Sequence, residues 1–549
     1  MKQRTYNERE TVDFVIVGSG AAGGVLAKEL ATAGFDVVVL EQGPWQQPNQ
    51  FTHDELRIER QNELMNLGFE PVQTFRANDT EPARKNTGRA LAYRRGVGGS
   101  SVHFAANYWR LRPLDFKERS LLGAIGGTGF ADWPLTYDEL EPYYTKVDWE
   151  IGVSGVPGPF DPPRSKPYPL PPMPNKSSGV LLEKAATALG LHAQVSPMAI
   201  LSKPYDGRQA CQACGHCSYY GCEFGAKSST LATMIPKAVV TGRCEIRTEA
   251  TACRVETDAR GRASGVAYFD GEGKEHVQPA RAVVLAANGA ETARLLLLSK
   301  SARFPQGLAN SSGNVGRYIM FNAHSSTYGR FEHPLNEYKG AVASRTVHSF
   351  YEADPKRGFY GGGGIDARLN VGPIGFALTV LPEDAPTWGA GFKDFLRDHF
   401  THTVRFASHI TSLPVASNTV SLDETIRDRW GRPGLCLTYT DHPDDMKARQ
   451  WFRDRTEELM HAAGAQQVWN QPILPTDGGV HLLGTARMGN DPRDSVVDRY
   501  HRAHDVRNLF ICDGSSFVTS GRGQPTMTIQ ALAFRAADHI VKFARSGEL

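Results

Sequence analysis

The chain has 549 residues, 40% of them hydrophobic and 22% charged, which suits a soluble globular protein with room for more than one core. Lys plus Arg (61) nearly offsets Asp plus Glu (59), and a net charge of +2 leaves no electrostatic footprint for nucleic acid or an anionic membrane. The balance points to a small, uncharged partner, and eight cysteines are too few for a disulfide scaffold.

The polar N-terminus runs straight into a short apolar stretch, without the longer apolar region and small-residue cleavage site of a secretory signal. No segment reaches the roughly 18 apolar residues of a spanning helix. The expectation is no direct membrane insertion, with carriage to or across a membrane left to another subunit.

"DFVIVGSGAAGGVLAKELATAGFDVVVLEQGP" reads as strand, tight turn, helix, strand. Gly18, Gly20 and Gly23 form Gly-x-Gly-x-x-Gly: the first permits the turn, the second admits a pyrophosphate, the third lets helix and strand pack. The helix N-terminus stabilises phosphate charge, Gly34 stops the helix, and Glu41 at the second strand's tip is placed to accept from ribose hydroxyls. The fingerprint does not choose between FAD and NAD; its place at the start of the chain leans to FAD.

"SGVPGPFDPPRSKPYPLPPMPNKSSG" (154–179) is a Pro- and Gly-rich surface connection. "CQACGHCSYYGC" then puts Cys211, Cys214, Cys217 and Cys222 into twelve positions. Disulfides here would close strained loops with little entropic gain. Structural zinc usually joins two knuckles a dozen or more residues apart. Unrelated free thiols are a third alternative. An iron–sulfur cluster is the fourth and favoured one, because Cys-x2-Cys-x2-Cys is the ferredoxin run. Cys244, Cys253, Cys436 and Cys512 lie singly among apolar residues and are expected to be small buried hydrophobes.

Between 331 and 475 strand-like runs ("GFALTVL", "VRFASHITSL", "NTVSLD", "LCLTYT") suggest an antiparallel sheet. "RNLFICDGSS" is an apolar strand ending in Asp513-Gly514, and "PTMTIQALAFRAADHIVKFAR" has Met527, Ile529, Leu532, Ala533, Ala536 and Ile540 on one helical face. Pro525 suits the first turn of that helix.

With these stand "RRGVGGSSVHFAANYWRLRP" (94–113), "DWPLTYDELEPYYTKVDWEIGVSG" (132–155), "VVLAANGAETARLLLLS" (283–299), "GGVHLLGTARMG" (478–489) and "NLFICDGSSFVTSGRGQPTMTIQALAFRAADHI" (508–540). Together they resemble the glucose–methanol–choline oxidoreductases, flavoenzymes that oxidise alcohols, in family order from residue 12 to 545. Within that family the cysteine loop makes the chain most similar to the large subunits of bacterial glucose, gluconate, fructose and glucoside 3-dehydrogenases. The resemblance implies an α/β fold: a Rossmann-like FAD-binding domain (1–110, 226–330 and 476–549) and an α+β substrate domain on an antiparallel sheet (331–475). A connecting region (111–225) carries the iron–sulfur loop, 205–225.

The resemblance also implies roles. His481 of "GGVHLLGT" is the base that takes the hydroxyl proton. Gln524 stands where the family has His or Asn before Pro-Thr, and contacts the substrate oxygen. Gly98, Gly99, Ser100, His103, Asn107, Asp513, Gly514, Pro525 and Thr526 join the N-terminal motif in holding FAD. Some relatives bond a histidine at the place of His103 to the flavin methyl, others do not, and both remain open. Related sugar dehydrogenases use three cysteines for a 3Fe–4S cluster; four here leave 4Fe–4S open.

Such large subunits work with a small subunit bearing an export signal and often a cytochrome c, so a periplasmic or membrane-associated place through partners is expected, a cytoplasmic one being the alternative. The implied activity is a sugar or glycoside dehydrogenase, leaning to C3 of a glucoside because of Gln524. Glucose 1- or gluconate 2-type oxidation, an oxygen-using alcohol oxidase and a non-catalytic electron-transfer subunit are the alternatives.

Overall fold

A computed structural model describes residues 3–61, 73–85 and 91–549. Val12–Val17 and Val37–Leu40 are almost wholly apolar and buried, as strands covered on both faces must be. They pair in parallel with each other, and the outer one pairs in parallel with Cys244–Arg247. On the inner side, Val12–Val17 lies parallel to the long strand Glu275–Leu285, whose far end also pairs with Leu509–Ile511. The near end of that long strand turns antiparallel to Ala263–Phe269, which continues to Thr251–Thr257. Chain from both ends and the middle of the sequence is thus joined in one seven-stranded sheet. Helix Ala21–Thr32 packs on it beside the C-terminal helix Pro525–Arg545. Gly34, at φ +99°, follows the end of Ala21–Thr32 as expected.

The second sheet has six antiparallel strands in the order Gln467–Asn470, Ala323–Arg330, Thr403–Ile410, Gly363–Arg368, Arg345–Val347, Ala193–Val195. Period-2 alternation divides its residues. Ala323, Ile365, Ala367, Val404, Phe406 and Ile410 meet the helices Pro443–Ala462 and Ser177–Ala188. The alternate positions His324, Asp366, Arg368, Arg405 and His409 belong to the opposite face. A third sheet joins Thr419–Arg427, Pro433–Thr438, Gln73–Arg76 and Arg84–Lys85.

Several expectations shift. "GFALTVL" is not a strand: Pro373–Thr379 is helical, because the Glu55 carboxylate accepts from the backbone N–H of Ile374 (2.9 Å) and Gly375 (2.7 Å). That cap comes from a residue more than 300 positions away and leaves no local signal. "NTVSLD" and "LCLTYT" are strands, but of the third sheet. Ala323–Arg330, placed by sequence in the flavin domain, and Ala193–Val195, placed in the connecting region, both belong to the substrate sheet. The four single cysteines are buried. Among the described residues no helix is long and apolar enough to cross a membrane.

Candidate active site

A cavity of about 430 Å³ runs from the glycine turn to the polar face of the substrate sheet. At its first end, Gly18 has φ +93°, and a Cβ there would lie 2.6 Å from the Ala286 carbonyl oxygen. A Cβ on Gly23 would come within 1.9 Å of the Gly18 oxygen, so the helix can rest on the turn only as glycine. In front of Gly20 the space is open, its nearest neighbour being the Gly99 Cα at 3.9 Å. Close contact everywhere except at the middle glycine is the shape a pyrophosphate needs.

Gly98 and Gly99 (φ +91° and +53°) fold the second loop against the first, and Gly98 N–H donates to Ser19 Oγ (3.1 Å). Ser100 lines the cavity, and its Oγ accepts from Arg94 N–H (3.1 Å). Glu41 also lines it, but its carboxylate already accepts from Ser19 N–H and Oγ, Gly43 N–H and Gly96 N–H. In this conformation Glu41 is the clasp between the two loops, with its acceptor positions filled. Asn107 is committed too: its amide donates to Asp366 (2.9 Å) and accepts from Ser196 Oγ (3.4 Å).

Asp513 accepts from Thr292 Oγ1 (2.6 Å), Ser515 N–H (2.7 Å) and Asn288 N–H (3.0 Å), so it holds the corner of the cavity. Burial pushes its carboxyl above the usual range against those hydrogen bonds. Gly514 meets what its sequence context required: a Cβ there would sit 2.5 Å from the Leu482 oxygen, next to His481. Gly484, Ala486 and Met488 N–H donate to the carbonyls of Gly514, Ser515 and Ser516. The His481 block is therefore stitched to the Asp513 corner.

His103 is buried in the cavity wall, and its Nε2 has no hydrogen-bond partner among the described residues. Burial, with Arg94 and Lys227 nearby, holds the ring down to about 3. An orphaned buried nitrogen facing a cavity of this shape fits a bound flavin. Unfolded, the ring protonates near 6.5; folded, it stays neutral until about 3. Its contribution is present above pH 6.5 and is lost as pH falls from 6.5 towards 3. Thermal unfolding followed from pH 8 to 4 should therefore show stability falling below about 6.5, by on the order of 1.4 kcal/mol per pH unit for this ring.

At the far end stand His481, Gln524, His324 and His409. His481 Nδ1 lies 2.7 Å from Asn322 Oδ1, and Asn322 Nδ2 donates to the Ser520 carbonyl (3.3 Å). That donor requirement orients the Asn322 amide, so Nδ1 carries the His481 proton and Nε2 keeps its lone pair. Burial and His409 hold His481 down to about 3, leaving it a neutral base at physiological pH.

Gln524 caps the C-terminal helix without using its side chain, and its amide makes no hydrogen bond to the described residues. Pro525, Thr526 and Ile529 line the cavity beside it; Ile529, expected in the helix core, is half-buried there.

Sequence reasoning missed the substrate-sheet wall. His324 Nδ1 donates to the Ser408 carbonyl (3.0 Å), and its ring centroid is 6.0 Å from that of His481. His409 Nε2 meets Asp366 at 2.9 Å, and Arg368 also binds Asp366. Alternation in "VRFASHI" was the available signal; it could not say which face met the flavin.

The cysteine loop leans on the same cavity. Ser218 and Tyr219 line it, and Tyr219 N–H donates to the His103 carbonyl (2.9 Å). Lys227 Nζ is buried beneath, donating to the carbonyls of Cys217 (2.7 Å), Tyr220 (2.8 Å) and Phe104 (3.2 Å). Cys211, Cys214, Cys217 and Cys222 are all half-buried, and burial pushes Cys217 up to about 11. Among the described residues no three His, Cys, Asp or Glu side chains gather as a metal site. The expected ligands share one loop, but this conformation does not present a formed cluster site.

Family models described as GMC oxidoreductase match residues 12–317 and 414–533. The chain belongs to the GMC oxidoreductases. Relatives of this flavoenzyme chain include the 2-methyl-1,2-propanediol dehydrogenase of Mycolicibacterium austroafricanum, 35% identical over 97% of this chain and 95% of its own length. The fructose dehydrogenase large subunit of Gluconobacter japonicus is 30% identical over 98% and 100%. The gluconate 2-dehydrogenase flavoprotein of Pantoea cypripedii is 28% identical over 97% and 94%. Among solved structures, pyridoxine 4-oxidase from Mesorbium loti superposes with a TM-score of 0.66 at 19% identity, covering 96% of this chain and 98% of that one. It shares the fold.

The GMC oxidoreductase thus brings His481, Gln524 and His103 to one cavity with the glycine turn at its other end. Glu41, Asn107 and Asp513 build the walls of that cavity through hydrogen bonds to the protein.

Proposed function

We propose that this GMC oxidoreductase is a FAD-dependent dehydrogenase of a sugar or glycoside hydroxyl. The observation that carries the reading is His481, tautomerically held by Asn322 with Nε2 unprotonated, in a cavity walled by hydrogen-bonding side chains. Bound FAD supplies the hydride acceptor. His481 Nε2 takes the hydroxyl proton as the carbinol becomes a carbonyl, and the Gln524 amide donates to the same oxygen. A polyhydroxylated ring suits a wall of His324, His409, Asn370, Arg368 and Arg405. Gln524 in place of a shorter or cyclic donor supports a ring secondary hydroxyl, such as C3 of a glucoside, over C1 of glucose.

Gln524→Asn should keep substantial turnover while Gln524→Leu should not. Equal rates for wild type and the Leu variant would remove Gln524 from the substrate contact.

The second part of the proposal is an electron relay through an iron–sulfur cluster on Cys211, Cys214, Cys217 and Cys222. Four thiols in one loop, and the loop's backbone contact with His103 on the cavity wall, support it. A small subunit and a cytochrome c are the proposed onward partners, and they would place the enzyme in the periplasm or at its membrane. The relatives named as a large subunit and a flavoprotein support that assembly.

Dye reduction with glucose, methyl glucoside, gluconate and fructose, beside iron and sulfide analysis of anaerobically purified protein, tests both parts. Turnover of methyl glucoside excludes C1 chemistry. Protein without iron or sulfide overturns the relay. Hydrogen peroxide formed at the rate of substrate oxidation would identify an oxidase instead.

A further inference from the structure

The charge of the whole chain pointed to an uncharged substrate; the charge of the cavity wall does not. Arg368 and Arg405 are register partners on adjacent strands and both line the cavity beyond His481. Two like charges directly opposite destabilise a strand pair unless each has a counter-charge. Arg368 has one: its Nε donates to Asp366 Oδ1 (2.6 Å), and its Nη2 binds the other oxygen. Asp366 has nothing left for Arg405, because Asn107 and His409 also bind it.

Arg405 Nε donates to Ser326 Oγ (2.8 Å), and its guanidinium lies 5.9 Å from the Tyr328 ring centroid. No carboxylate of the described residues pairs with it, which leaves the Nη1–Nη2 edge without an acceptor among the described residues. The other acids of the cavity are held elsewhere: Glu41 by the glycine loops, Asp513 at its corner, and Glu291 by Tyr93 and Arg294. Among the described residues, the substrate end of the cavity therefore carries one uncompensated positive charge on a fork whose geometry matches a carboxylate.

We infer that Arg405 is a specificity-determining residue that holds a carboxylate of the substrate, making the substrate class a sugar acid. The inference rests on the sugar-dehydrogenase reading above and narrows it. A half-buried guanidinium is partly desolvated, and an anionic ligand offsets that cost where a hydroxyl does so only in part. Bidentate contact also fixes the ring, presenting one hydroxyl to His481.

The test uses the FAD-loaded enzyme and two matched pairs: methyl glucuronide against methyl glucoside, and gluconate against sorbitol. Within each pair only the carboxylate changes to a CH2OH. Calorimetric titration reads binding independently of turnover, and dye reduction reads kcat/KM. The acid of at least one pair should bind at least tenfold more tightly than its neutral partner. Arg405→Gln should bring that ratio close to one, and Arg405→Lys should restore part of it, because the charge returns without the fork.

Equal affinities within both pairs of the wild type would overturn the inference, as would a preference that survives Arg405→Gln. A preference for the acid with no sugar reducing the dye would leave the carboxylate site standing and overturn the dehydrogenase reading. Failure of all four ligands to bind would overturn both.

Discussion

Replacing His481 with glutamine is expected to lower kcat by about 10²–10⁴, the usual worth of a positioned general base. The substitution leaves an amide of similar reach but no lone pair basic enough to take a hydroxyl proton. His481 is half-buried and its one protein hydrogen bond is to Asn322, so folding and the flavin spectrum should persist. The loss should fall on kcat, because the step removed is proton transfer. Asn322→Leu should give a smaller loss of the same kind by freeing the tautomer. Steady-state and single-turnover reduction by substrate check both. Wild-type kcat in the glutamine variant would move the base to His324, whose Nε2 is left as an acceptor by the Nδ1 bond to Ser408.

Arg522→Met should cost about 3–5 kcal/mol of stability, because it strands buried carboxylates. Arg522 is only 1% exposed at its side chain and pairs with Asp115 (2.9 Å) and Glu118, while its Nε donates to the Tyr351 carbonyl (3.0 Å). Tyr351 donates to Asp115 and Tyr360 to Glu118. Burial, with Asp115 as a neighbour, pushes the Glu118 carboxyl up even against the pull of Arg522. Removing the cation therefore leaves two acids competing for one dry site.

The same cluster sets the backbone two residues before Gln524, so KM should rise in the surviving fraction. Denaturant unfolding of Arg522→Met, Asp115→Asn/Glu118→Gln and the triple variant checks this. The triple variant should recover much of the loss. An Arg522→Met midpoint equal to wild type would show that the cluster adds nothing to stability.

Much of the flavin end was legible in the chain because its constraints are local. A Cβ on Gly23 would strike the carbonyl of Gly18 within the same turn, so that glycine is required by its own motif. The buried strands announce themselves as continuous apolar runs. The substrate end was legible only in part. Its sheet gathers strands from residues 193 to 470, and alternation identifies two faces without saying which one meets a helix and which one a cavity. The helix over Pro373–Thr379 was misread because Glu55 caps it from a distant segment.

By itself the sequence determined the dinucleotide turn, the family's block order and the crowding of four cysteines, since each depends on residue type at short spacing; His481 as the proposed base came through the family resemblance. Only the tertiary structure decided that Glu41 clasps two glycine loops, that Asn322 sets the tautomer of His481, and that Arg405 faces Arg368 with no acid of its own among the described residues. Those outcomes depend on hydrogen bonds and charges brought together from strands far apart in the chain. No local pattern records such meetings.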